Sequence, residues 1–187
     1  MSDVADRLDT LIRELTALGS PIGRYPRRGR SAEDVRSVLD SLGLVPPPAL
    51  IDLYAWHDGM EDEVFALVGL VSLDVAVSIA VEAREGALDF EGEDAEGFWR
   101  TPWFPIATAP ASIFAIDCSA EETHEAGVIW RALSNPFETG IVATSLVDLV
   151  DAWISEIRAG GVYWHAESRS LQPREGDESR LQDAGLY

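Results

Sequence analysis

The sequence predicts an α+β domain: a single mixed, largely antiparallel sheet packed by N-terminal, middle and C-terminal helices. Three observations carry this. Amphipathic helical patterns fill the first 60 residues, four strand-like runs follow between residues 104 and 143, and a strong helical stripe comes after them. Helices and strands segregated along the chain, rather than alternating, point to α+β. The runs lie too close together for crossover helices, so they pair as an antiparallel meander.

The first helix is expected from about Asp3 to Leu18, where Val4, Leu8, Leu11, Ile12, Leu15 and Leu18 form one apolar stripe. Gly19, Pro21 and Gly23 stop it. The stretch Arg24-Tyr25-Pro26-Arg27-Arg28-Gly29-Arg30 is the only positive patch in the chain and reads as a loop. Ser31 with Asp34 forms an imperfect capping box for a second helix carrying Val35, Val38, Leu39 and Leu42. Pro46-Pro47-Pro48 leads into a third, because proline suits a first helical turn, and Asp58-Gly59 marks its end.

Val64–Val68 reads as a strand, and Ser72 as the cap of a fourth helix with Leu73, Ala76, Val77 and Ala80 inward. Residues 64–81 are long enough to test as a membrane span. Asp74 near the middle and acids at both ends exclude one. Phe104–Thr108, Ile113–Asp117, Gly127–Ala132 and Gly140–Ala143 are the meander strands. Ser145 caps the last helix, with Asp148 at its third position and Leu146, Leu149, Val150, Trp153, Ile154 and Ile157 as its stripe. Gly160-Gly161 stops it, and Val162–Trp164 is a candidate short strand. We expect one domain over residues 1–170 and a polar, mobile tail over 171–187.

The 187 residues include 33 acids and 14 Arg but no Lys, for a net charge of −19. Schiff-base and P-loop chemistry both need a lysine and are excluded. General binding to nucleic acid is opposed by like charge. Cys118 is the lone cysteine, so an internal disulfide and a multi-cysteine zinc site are excluded. That cysteine usage, with no basic and apolar leader over Met1–Asp6, leads us to expect a cytoplasmic protein. The acids are unevenly placed. Residues 61–130 hold 15 against two Arg, a net −13, and the excess peaks at Glu82, Glu85, Asp89, Glu91, Glu93, Asp94 and Glu96.

Phe98-Trp99-Arg100-Thr101-Pro102-Trp103-Phe104 directly follows that peak. Trp103 and Phe104 read as strand core; Trp99 reads either as core or as an interface anchor. Asp117, Cys118 and His124 invite a nucleophile reading, but an acidic setting raises a thiol's pKa, so a small semi-buried thiol is expected. His57, His124 and His165 lack ligand-pair spacing, and the acids of 82–96 lack the pattern of a calcium loop. No metal or cofactor is expected. Pairing between the basic loop and the acidic face is the simplest use of Arg24–Arg30.

The stretch from Leu42 to Gly59, with its Pro-led helix, Leu53-Tyr54 and His57-Asp58-Gly59, resembles the SUKH superfamily of fungal cell-wall-assembly regulators and bacterial toxin-immunity proteins. Trp103-Phe104-Pro105-Ile106-Ala107, the Asp-ended strand Ile113–Asp117, Gly127–Trp130 and the Ser-led helix Ser145–Ile157 follow in the same order, over about residues 31–158. Thr108–Ser112 departs from the Gly-rich turn that many members have there. The resemblance implies one mixed sheet packed by helices and a binding role without catalysis, with Tyr54, Gly59 and Trp103 as scaffold.

Together these readings lead us to expect a non-catalytic immunity protein that occludes a basic toxin such as a nuclease. The expected contact set is Glu82, Glu85, Asp89, Glu91, Glu93, Asp94, Glu96 and Trp99. The alternative is a regulatory interaction scaffold of the cell-wall-assembly type. A hydrolase built on Cys118 or His57 comes third.

Overall fold

The structure, a computed structural model, describes residues 3–21, 26–60, 68–87, 99–109, 112–119, 127–134, 137–168 and 170–176. It is an α+β fold. Helix α1 (Asp3–Ala17) is followed by β1 (Pro26–Arg28), α2 (Ala32–Ser41), α3 (Pro48–Trp56), β2 (His57–Met60), β3 (Gly69–Leu70) and α4 (Leu73–Ala87). The meander β4 (Trp103–Ala109), β5 (Ser112–Asp117), β6 (Ile129–Ser134) and β7 (Phe137–Ala143) comes next. Helix α5 (Leu146–Arg158) and the hairpin β8 (Val162–His165) and β9 (Ser170–Pro173) complete the described order.

Strands β3 to β7 lie side by side in chain order, and every ladder is antiparallel. Two separate two-stranded ribbons, β1–β2 and β8–β9, accompany this five-stranded sheet. Short connections explain the antiparallel pairing of β4 to β7, because a parallel neighbour needs a long crossover.

Period-2 alternation divides the sheet into two faces. Phe114 and Ile116 of β5 join the main core, while Ala115 between them joins a second cluster. The main core gathers Leu8, Leu11 and Leu15 of α1, Leu50 and Tyr54 of α3, and Leu149, Trp153 and Ile157 of α5. Phe114 meets Trp153 edge to face at 6.5 Å, and Phe104 meets Tyr54 at 6.4 Å. Ion pairs Arg7–Asp151 (3.2 Å) and Arg158–Glu14 (2.7 Å) fix α1 alongside α5. Trp56 Nε1–H donates to Asp9 at 2.8 Å and ties α3 to α1.

The capping signals form as the sequence predicts. Ser31 Oγ accepts from Asp34 N–H at 3.0 Å, and the Asp34 carboxylate accepts in turn from Ser31 N–H. Ser145 Oγ accepts from Asp148 N–H at 3.1 Å. Hydrogen bonds from Thr144 and Ser145 hold the Asp148 carboxyl below its ordinary range.

Several expectations are corrected. The basic loop is partly a strand: Pro26 pairs with Met60 and Arg28 with His57. The third helix stops at Trp56, because His57 is extended (φ −152°, ψ 144°) and begins β2. The chain does not turn polar and free at residue 171. Leu171 is buried, pairs with Trp164, and is followed by Arg174, whose N–H donates to Gly161 O at 2.9 Å. Ser-Leu-Gln-Pro lacks β-formers and alternation, so its hairpin partner supplies the pairing. Of the expected strand Val64–Val68, residues 64–67 lie outside the described residues, as does the tail beyond 176, and Val68 is not in a strand.

Candidate functional site

The N-terminus of α4 is the most elaborated polar feature of the described structure. Asp58 is buried; its Oδ1 accepts the Leu73 N–H at 2.7 Å, and its Oδ2 accepts from Arg30 Nε at 2.7 Å. Arg30 continues to Asp74 Oδ2, also at 2.7 Å. A carboxylate at a helix N-terminus satisfies an orphan N–H and complements the dipole. Both carboxylates hold the Arg30 guanidinium more firmly charged than usual, Asp58 contributing most. Gly59 makes this possible. Its φ is +75°, and a Cβ there would lie 2.4 Å from Ser72 N and 2.7 Å from Val71 C. The His57-Asp58-Gly59 pattern is therefore a docking joint between β2 and α4: Asp58 caps, Gly59 admits the close approach, and the His57 Nδ1–H donates to Arg27 O at 3.0 Å across the β1–β2 ribbon.

Among the described residues, basic-loop pairing occurs at Arg30, with Asp58 and Asp74. The reason is placement, since Gly29 packs against the Ala55 carbonyl and sets Arg30 beside β2.

Of the acids in the expected contact set, Glu82 and Glu85 are described. Both are exposed on α4 and have no ion-pair or hydrogen-bond partner among the described residues. Asp89, Glu91, Glu93, Asp94 and Glu96 lie outside the described residues. Arg84, the one cation within that acidic run, faces inward. Its Nη1 and Nη2 donate to Leu42 O (3.2 Å) and Thr101 O (2.7 Å), and burial lowers its pKa. It closes the C-terminus of α2 instead of neutralising its acidic neighbours.

Trp99 is not a surface anchor. It is 4% exposed and meets Trp103 edge-on at 5.6 Å, while Trp103 stacks on Trp130 at 5.0 Å. The Arg100 guanidinium covers Trp130 at 4.6 Å, a cation–π contact. Ala83 and Ala87 of α4 pack onto this cluster. The three indole N–H groups have no hydrogen-bond partner among the described residues, so ring packing and not polar pairing holds them there. Trp99 immediately precedes the turn into β4, and the outward face of β4–β6 needs an aromatic cover. That need was not visible in the local sequence.

The nucleophile candidates are not poised for chemistry. Cys118 is buried at the end of β5, and burial, with Asp117 adding to it, pushes its thiol up to about 12. Asp117 is fully buried and spends Oδ1 on the Ser119 N–H (2.8 Å) and hydroxyl. His124 lies outside the described residues. His165 Nδ1 lies 2.8 Å from Ser168 Oγ within the β8–β9 turn. Among the described residues, no group of three His, Cys, Asp or Glu side chains could hold a metal ion, and no helix is long and apolar enough to cross a membrane.

No protein-family model matches this chain, and no curated protein matches it either.

Proposed function

We propose that this chain is a non-catalytic protein-binding domain, and that its partner is a basic polypeptide such as a toxin domain it neutralises. One observation carries the reading: the uncompensated acidity of residues 61–130. That segment is at −13, and Arg84 is committed to backbone carbonyls while Glu82 and Glu85 stand exposed and, among the described residues, unpaired. Concentrated like charge costs stability through self-repulsion, and a cationic partner relieves that cost while being steered toward the surface. The SUKH-like order of motifs, from Leu53-Tyr54 and His57-Asp58-Gly59 to Trp103–Ala107, agrees with a binding scaffold. The buried, strongly protonated Cys118 thiol argues against nucleophilic catalysis on that residue.

Co-expression with the product of each gene adjacent to its own tests the reading. The expected result is a stoichiometric complex with a basic polypeptide and rescue of cells from that polypeptide's toxicity. A stoichiometric complex with no toxic partner would favour the regulatory-scaffold reading. Absence of any such complex would overturn the proposal.

A further inference from the structure

Helix α4 presents all of its exposed side chains on one stripe. At about 100° per residue, Asp74, Val75, Ser78, Val81, Glu82 and Glu85 fall within an arc of about 120°. The opposite side, Leu73, Ala76 and Ala80, is buried in the core. The stripe is chemically unusual for a solvent face. Val75 and Val81 are 47% and 38% exposed, two of the five large apolar side chains exposed to this degree among the described residues. They flank a central row of three carboxylates with no cation on the arc.

Scattered apolar residues on a surface need no explanation, and an acidic helix face alone is often only solvated. Here the two occur together, and the rest of the fold holds them outward. The Asp58 carboxylate fixes the first turn of α4 at Leu73, and Arg84 fastens the last turns to Leu42 O and Thr101 O. A helix tied at both ends presents a rigid face, which lowers the ordering cost of docking. Arg30 already serves Asp74, which leaves Glu82 and Glu85 as the carboxylates of the stripe without a counter-charge among the described residues.

We propose that this solvent face of α4 is the docking surface for the basic partner, with Val75 and Val81 as its apolar contacts and Glu82 and Glu85 as its charge partners. The inference rests on the function proposed above and supplies its missing anchor, since Trp99 is buried. Charge complementarity selects the occupant. A second copy of this chain would bring the same carboxylates face to face, and an anionic membrane surface would be repelled. A partner face carrying Arg or Lys fits, because their long apolar stems cover valine while their cationic ends reach glutamate.

The test measures binding of the full chain to the products of the adjacent genes by calorimetry. It compares Glu82→Arg with Glu85→Arg, Val75→Ser with Val81→Ser, and a control of equal charge change, Glu167→Arg with Glu175→Arg. All six positions are exposed, and an unchanged circular-dichroism spectrum and urea midpoint confirm the fold. The expected result is an affinity loss of at least about 10-fold for each α4 pair and a smaller loss for the control. Wild-type binding with undiminished affinity in both α4 pairs would overturn this surface and leave the proposed function standing. No wild-type binding to any adjacent product would overturn both. A wild-type dimer in sedimentation that the valine pair dissociates would make the occupant a second copy and overturn the proposal.

Discussion

Asp58 accepts the backbone N–H of Leu73 at 2.7 Å, joining the end of β2 to the first turn of α4 across 15 residues of chain. The same carboxylate accepts from Arg30, so one buried acid joins three segments. This contact orients α4, and α4 carries the acidic stripe.

Removing it should be costly. Asp58→Ala leaves Leu73 N–H without its acceptor and Arg30 without its closest partner. Because Arg30 is a third exposed, the ion pair is partly screened. We expect a loss of about 2–4 kcal/mol, read as a lower urea midpoint at unchanged slope. Asp58→Asn keeps an oxygen for Leu73 and should lose about 1 kcal/mol less. An Ala variant within about 0.5 kcal/mol of wild type would contradict this assignment.

Trp99→Ala should act on stability and not on affinity alone. Truncating a buried tryptophan typically costs about 3–5 kcal/mol, and Trp103 loses its edge contact as well. Thermal or urea unfolding followed by tryptophan fluorescence checks this. A variant as stable as wild type but weak in binding would return Trp99 to the surface.

Much of this arrangement was legible in the sequence, and its failures have physical causes. Caps at Ser31 and Ser145 depend on side chains three residues apart, so local reading suffices for them. The meander strands carry their own β-forming residues and short turns, and they were found in order. Strands β1 and β9 were missed because Pro-Arg-Arg and Ser-Leu-Gln-Pro have no strand signature and exist through their partners. Asp58 presented itself as a helix-ending turn residue, since its true partners, Arg30 and Leu73, lie 28 and 15 positions away. The acidic excess was plain from composition. Which acids remain unpaired was not, because that depends on the inward turn of Arg84.

The Cys118 thiol should be silent in the native state. With its value raised from 9.0 to about 12, only about one native thiol in ten thousand is ionised at pH 8. Alkylation should therefore follow unfolding rather than precede it. The linkage sign is definite. Above pH 9 the unfolded thiol ionises while the folded one stays protonated, so the unfolded state binds fewer protons and stability falls as pH rises from 9 toward 12. Tyr54, fully buried and likewise raised, adds to the same alkaline loss. Cys118→Ala should remove the thiol's share of that slope, up to about 1.4 kcal/mol per pH unit. Rapid native labelling at pH 8 would contradict this.

The central claim is recognition of a basic partner through an acidic face, and the ionic-strength dependence of the association rate tests it most directly. In stopped-flow mixing with the basic product of an adjacent gene, the account predicts an association rate constant approaching ~10⁸ M⁻¹s⁻¹ at low salt. That constant should fall steeply as added salt shortens the screening length, while the dissociation rate changes little. Glu82→Arg with Glu85→Arg should flatten this dependence. An association rate in the wild type that does not respond to salt would contradict the account.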